Sequence, residues 1–163
     1  MNFSDPFGLC PIEKDGVPCK LYVTAYGAAH GASLSALQVS ARHGLYDLAQ
    51  RSGHDLGVNA TTNGTHDDPR HNGVSNCCPE RDDPNKAGLA VDIGEVDHHV
   101  VGTAEASSGV ADVQQTGLDT PGVMAVIDPN GYWLAPSQGK PKQVQNDPAT
   151  VRQHGTHMHV DFW

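Results

Sequence analysis

The residues best suited to chemistry lie near the C-terminus, where histidine recurs at alternate positions. Three polar residues of this segment alternate with three apolar ones: His157, His159 and Asp161 with Met158, Val160 and Phe162. Alternate side chains of a β-strand point to opposite faces, so the polar groups share one face. Imidazole and carboxylate groups bind zinc and transfer protons near neutral pH. With His154 three residues upstream, the pattern predicts a metal or catalytic site.

A second predicted strand, residues 88–96, carries one carboxylate among small residues. By the same alternation, Asp92 shares a face with Ala90 and Gly94, while the opposite face is apolar. Small neighbours leave room beside a carboxylate. We therefore expect space for an ion and a substrate next to Asp92.

The elements that must position these strands follow from periodicity and turn residues. An apolar stripe at steps of three and four predicts a helix over 33–52, with Ser33 as its N-cap and Gly53 as its stop. The strong turn Asp128–Gly131 predicts a hairpin. The other predicted elements are strands at 56–62, 122–127, 132–134 and 156–162 and helices at 108–116 and 148–153.

Composition narrows the classes of function. The 163 residues include ten histidines, as many as Lys and Arg together, and the net charge is −9. Such an acidic chain is a poor partner for nucleic acid or an anionic membrane surface. It contains no apolar run of membrane-spanning length, and its N-terminus does not resemble a secretory signal peptide.

The cysteines argue against one structural metal site. Cys10, Cys19, Cys77 and Cys78 form no Cys-x-x-Cys pair, so a zinc ribbon is not expected. Two disulfides in an oxidising compartment and four reduced thiols both stay open.

The two predicted strands resemble the zinc D-Ala-D-Ala carboxypeptidase and endopeptidase group, known as LAS metallopeptidases. That group includes phage endolysin peptidases and the hedgehog signalling domain, and its pattern is His-x-x-Gly-x-Ala-x-Asp followed by His-x-His. Gly88-Leu-Ala-Val-Asp92 and His157-Met-His159 match it, and the resemblance extends from about Leu45 to Trp163. It implies an α+β fold in which a small antiparallel sheet carries the metal site and helices pack on one side.

The resemblance implies a single zinc ion, Zn²⁺, with three protein ligands. Asp92 matches the carboxylate ligand and His159 the last histidine ligand. Where the family has its first histidine, this sequence has Asn85. His71 is the leading candidate for that ligand, which places an inserted loop at about 72–87. The alternatives to His71 are His66 and, less favoured, His98 or His99.

The same resemblance implies roles beside the metal. His157 matches the residue that assists proton transfer, and His154 resembles an additional active-site histidine of some members. Arg70 lies in the region of the arginine that pairs with a substrate carboxylate, with Arg81 as its alternative. The implied activity is that of a zinc metallopeptidase of the D,D-carboxypeptidase or endopeptidase type, acting on peptidoglycan peptides.

A further resemblance lies at the front of the chain. Asp5-Pro6-Phe7-Gly8-Leu9 is similar to the junction that ends the core of RHS-repeat polymorphic toxins, where a C-terminal toxin domain begins. It implies a monomeric, secreted antibacterial effector that acts in the periplasm of a target cell and has a cognate immunity protein. Residues 1–20 are then an irregular lead-in and 21–163 a single domain.

Two other kinds of function stay open at this point. The domain could be a zinc-containing binding module without catalysis, as the hedgehog relative is thought to be. It could also be a toxin hydrolase that acts on a substrate outside the cell wall, such as a cytoplasmic protein.

Overall fold

Eight strands and four α-helices make up the described part of the computed structural model, which covers residues 21–62, 87–135, 142–143 and 148–163. The strands are β1 (Leu21–Val23), β2 (Leu56–Ala60), β3 (Ala90–Val96), β4 (His99–Val100), β5 (Val123–Asp128), β6 (Gly131–Leu134), β7 (Lys142–Gln143) and β8 (Met158–Phe162). The helices are α1 (Ala25–Ala29), α2 (Val39–Ser52), α3 (Ser107–Asp119) and α4 (Pro148–Gln153). The predicted α+β class is confirmed.

One sheet contains all of these strands. Seven strands follow the order β1-β2-β3-β8-β5-β6-β7, and the short β4 pairs with β3 from outside this path. The pairings are antiparallel except at one edge, where β1 and β2 run parallel and Leu21 pairs with Leu56. The predicted antiparallel sheet therefore contains one parallel pair, at that edge. A parallel pair needs a long crossover, and the segment with α1 and α2 supplies it.

Helices α2 and α3 pack on the apolar face of the sheet, where small residues allow close approach. A Cβ atom at Gly44 of α2 would lie 2.7 Å from Cδ1 of Phe162 in β8. A Cβ atom at Gly109 of α3 would lie 2.7 Å from Cγ1 of Val96 in β3. Met158, Val160 and Phe162 are buried in this core, so alternation turns the polar residues of β8 to the other face.

The first long helix begins later than its apolar stripe predicts. A short 3₁₀ turn covers Leu34–Ala36, and α2 starts only at Val39, so the prediction of Ser33 as the N-cap is wrong. Gln38 has an extended backbone; its amide N–H donates to the carbonyl of Gly88 (2.9 Å) and its side chain to that of Ala87 (2.9 Å). These contacts with the chain before β3 set the helix start.

The other predicted elements lie close to their predicted positions, whereas β1, α1, β4 and β7 were not predicted. Gly53 ends α2 in the left-handed conformation (φ 75°), as expected. The predicted hairpin joins β5 to β6, and Oδ1 of Asp128 accepts the N–H groups of Asn130 (2.6 Å) and Gly131 (3.1 Å). Helix α4 matches its predicted span. None of the described helices has the length and hydrophobicity that crossing a membrane requires.

Some predictions concern parts of the chain outside the described residues. All four cysteines lie outside the described residues. The pairing of Cys10, Cys19, Cys77 and Cys78 therefore stays a prediction, as does the lead-in over residues 1–20.

Candidate metal centre

The centre of the polar face holds a directly opposed pair of side chains. Asp92 in β3 and His159 in β8 are partners in the antiparallel ladder, and Nδ1 of His159 lies 3.0 Å from Oδ1 of Asp92. Each residue is only 4% exposed. Both residues face away from the helices because their neighbours Val91 and Met158 belong to the apolar core. The structure thus brings together two of the three predicted metal ligands.

A second carboxylate contacts the other nitrogen of the same imidazole. Oδ1 of Asp161, two residues along β8, lies 3.2 Å from Nε2 of His159, and Asp161 is also only 4% exposed. The sequence placed Asp161 on the polar face, but neither motif gave it a role. The alternation along β8 was the one signal that could have found it.

The two carboxylate contacts of His159 require either an additional proton or a bound cation at this site. A neutral imidazole has one N–H group and one lone pair, whereas an ionised carboxylate only accepts hydrogen bonds. Neutral His159 can therefore donate to Asp92 or to Asp161, but not to both ionised groups together. Either an extra proton or a metal ion between His159 and one carboxylate resolves the conflict, and a buried negative charge needs such a partner.

The spacing of the donor atoms is that of an ordinary N–H···O hydrogen bond and is also compatible with zinc. Tetrahedral ligands at about 2.0–2.1 Å from the ion lie about 3.3 Å from one another. The 3.0 Å between His159 Nδ1 and Asp92 Oδ1 is close to that separation. Imidazole nitrogen and carboxylate oxygen are both ordinary zinc ligands. The pair could supply two of three protein ligands.

Two more histidines border this pair. Nε2 of His157 lies 3.9 Å from Oδ1 of Asp92, and the His157 side chain is 23% exposed, far more than that of His159. The ring of His154 is centred 4.8 Å from that of His157 and 5.6 Å from that of His159. Nδ1–H of His154 donates to the carbonyl of Thr150 (2.7 Å). This bond leaves Nε2 of a neutral His154 as the nitrogen with a lone pair.

The space expected beside Asp92 is partly filled. A Cβ atom at Gly94 would overlap the side-chain amide of Asn59 in β2. Oδ1 of Asn59 accepts a hydrogen bond from the hydroxyl of Thr24 (2.5 Å), which holds the amide over Gly94. The small residue at position 94 therefore accommodates a neighbouring side chain, and the prediction of open space on this side is wrong. Nothing in the sequence around Asn59 marks this contact.

The less favoured ligand alternatives lie at the far end of β3. His98 belongs to the two-residue turn between β3 and β4, and His99 begins β4. About 13 Å of strand separates Asp92 from Val96, where that turn begins. His98 stacks on Tyr22 (ring centroids 4.7 Å apart) rather than facing Asp92. The structure excludes both histidines as partners of Asp92 in one metal site.

The other predicted site residues lie outside the described residues. His71, His66, Arg70 and Arg81 all belong to segment 63–86. Within the described ranges, no group of three or more His, Cys, Asp or Glu side chains is arranged to hold a metal ion. The third ligand stays a prediction.

Comparisons with known proteins give no family assignment. Models of protein families, curated proteins and solved structures were searched, and none matches this chain. The roles of the site residues therefore depend on the geometry above and on the motif resemblance.

Proposed function

We propose that this protein is a zinc metallopeptidase that hydrolyses amide bonds in peptidoglycan peptides. The observation that carries the proposal is the buried pair Asp92 and His159, whose oxygen and nitrogen lie 3.0 Å apart, with a second carboxylate on the same imidazole. The resemblance to LAS metallopeptidases supplies the reaction class. Asp92 and His159 are two ligands in this proposal, and His71 is the third.

The described end of β2 supports a ligand from segment 63–86. Ala60, the last residue of β2, pairs with Asp92 in the sheet. Thr62, the last described residue before segment 63–86, follows Ala60 by two residues. His71 and His66 follow within nine residues, so the chain is long enough for either to reach the site.

Zinc bound by three protein ligands keeps an open position at which it activates water and polarises a carbonyl group. We assign His157 the proton of the attacking water. This histidine combines partial exposure with a ring nitrogen 3.9 Å from the Asp92 carboxylate. We assign it the transfer of the proton to the leaving amine. His154 packs beside His157 and supports its ring.

The substrate side of the proposal comes from the resemblance alone. Arg70, with Arg81 as its alternative, binds a carboxylate of the peptide by charge-assisted hydrogen bonds. The junction at Asp5–Leu9 makes the domain the toxin of an RHS-repeat protein, delivered to the periplasm of a target cell and blocked there by an immunity protein. The net charge of −9 favours a substrate other than nucleic acid.

The test is digestion of purified peptidoglycan sacculi, followed by chromatography and mass spectrometry of the released peptides. We expect amide cleavage that EDTA abolishes and zinc restores, and that Asp92→Ala abolishes. His43→Ala, at an exposed position on α2, is the matched control and keeps full activity. Cleavage that neither EDTA nor Asp92→Ala reduces would overturn the assignment.

Two further outcomes point to the alternatives. A zinc-loaded protein without turnover on sacculi would replace the peptidase with a binding module. Expression with and without a periplasmic export signal tests the compartment. Lysis only after export supports the peptidoglycan substrate, whereas toxicity inside the cytoplasm contradicts it.

A further inference from the structure

We propose that Asp161 is a positioning residue that fixes the tautomer of His159 and so directs Nδ1 of this imidazole to the metal ion. The inference rests on the proposed function and adds a residue to it. Its basis is the contact of 3.2 Å between Oδ1 of Asp161 and Nε2 of His159, in a buried part of the sheet.

The backbone fixes this contact on both sides. Asp161 and His159 are both in β8, which is held by β3 on one side and β5 on the other. The ladder partners of Asp161 are Ala90 in β3 and Ala125 in β5. The methyl groups of these two partners carry no ligand atom.

The ladder partners of His159, unlike those of Asp161, include a residue that can bind a metal ion. The partner of His159 in β3 is Asp92, and Nε2 of His157 also lies 3.9 Å from Oδ1 of Asp92. Nitrogen and oxygen donors therefore converge on the Asp92 side of the imidazole. This asymmetry assigns the metal to Nδ1 and the hydrogen bond to Nε2.

The hydrogen bond has a direct consequence for the metal. When Nε2–H donates to Asp161, the lone pair of the neutral ring is on Nδ1 and faces the same space as Oδ1 of Asp92. A carboxylate behind a ligating histidine fixes its ring orientation and raises its basicity. Asp161 therefore acts on zinc through His159 without touching the ion.

Two variants of Asp161 test the assignment. Asp161→Asn keeps an oxygen that accepts the Nε2–H bond, whereas Asp161→Ala removes it. We expect zinc affinity, measured by competition with a chromophoric chelator, to fall about 10- to 100-fold in Asp161→Ala and less than about tenfold in Asp161→Asn. Asp112→Ala is the matched control, because it removes an exposed carboxylate 3.4 Å from Nε2 of another histidine, His54, and it leaves the affinity unchanged.

A second measurement separates positioning from folding. Long-range ¹H–¹⁵N spectra of histidine-labelled, zinc-loaded protein report which ring nitrogen carries the proton and which binds the ion. We expect the Nε2–H form of His159 in the wild type and in Asp161→Asn. If Asp161→Ala does not fold, the spectrum of Asp161→Asn still decides, because a proton on Nδ1 there would overturn the assignment.

Zinc binding by Asp161 and Asp92 variants separates the role of Asp161 from the existence of the metal site. Wild-type zinc affinity in a folded Asp161→Ala protein would overturn the role of Asp161 alone, provided that Asp92→Asn loses zinc. Retention of zinc by Asp92→Asn would instead overturn the metal site, and the role of Asp161 with it.

Discussion

Asp92 and His159 are 67 residues apart in the sequence and directly opposite each other in the sheet, with Nδ1 of His159 3.0 Å from Oδ1 of Asp92. Because both side chains come from central strands, backbone ladders fix their separation. Metal sites depend on such preorganisation, since a rigid scaffold holds the ligands in place before the ion binds.

The proposed proton carrier is separable from the metal ligands. His157→Ala should keep zinc and lower kcat on peptidoglycan peptides about 10²- to 10⁴-fold, because His157 borders Asp92 without being a proposed ligand. Metal analysis and kinetics of the same preparation check this. His54→Ala, at the other end of the sheet, is the control. Loss of zinc in His157→Ala would assign the residue to the metal instead.

The identity of the third ligand is testable by two matched substitutions in one segment. His71→Ala should bind zinc far more weakly than the wild type, because a three-ligand site loses one donor. His66→Ala should bind it normally. Chelator competition measures both. The reverse order would make His66 the ligand, and normal binding in both variants would place the ligand elsewhere.

The contact between Asn59 and Gly94 predicts a stability effect. Gly94→Ala places a methyl group where the Asn59 amide lies, and we expect a loss of about 1–3 kcal/mol in the free energy of unfolding. Asn59→Gly removes the obstructing side chain, so Gly94→Ala should cost much less in that background. Urea unfolding of the four proteins in this double-mutant cycle measures the coupling. Equal costs in both backgrounds would show that the two side chains do not conflict.

The buried carboxyl of Asp128 should make the free energy of unfolding depend on pH. Burial raises the pKa of this carboxyl above its ordinary value, although Oδ1 accepts two backbone N–H groups of the hairpin. Oδ2 is buried and has no hydrogen-bond partner within the described residues. A raised folded-state pKa stabilises the protein below the ordinary pKa, and this contribution is lost as the pH rises through the folded-state value.

The substitution Asp128→Asn isolates that contribution. Asparagine keeps the acceptor for the turn but cannot ionise, so the Tm of the variant relative to wild type should rise between about pH 3 and pH 8. Thermal unfolding followed by circular dichroism over this range checks it. A difference in Tm that stays constant with pH would show that Asp128 does not titrate in this way.

The sequence predicted the helices and strands better than the residues at which they begin and the way the strands pair. The apolar stripe located α2, because periodicity reports which side chains are buried. It could not locate the start of α2, which depends on hydrogen bonds from Gln38 to the distant carbonyls of Gly88 and Ala87. The parallel pairing of β1 with β2 depends likewise on contacts distant in sequence.

In the candidate site, too, the sequence predicted the face on which a residue lies but not the residues that it contacts. Alternation placed Asp92 and His159 on polar faces, but only the pairing of β3 with β8 puts them opposite each other. The contact of Asp161 with His159 required the side-chain positions as well. Asn59 was missed because its contact with Gly94 crosses between strands and follows no motif.

The most direct test of the metal site is a crystal structure of the zinc-loaded protein with anomalous data collected at the zinc edge. We predict one anomalous peak between Oδ1 of Asp92 and Nδ1 of His159, about 2.0–2.2 Å from each atom, with a histidine nitrogen of segment 63–86 as the third ligand. A zinc-loaded crystal with no peak between Asp92 and His159, or with its peak elsewhere in the molecule, would contradict the account.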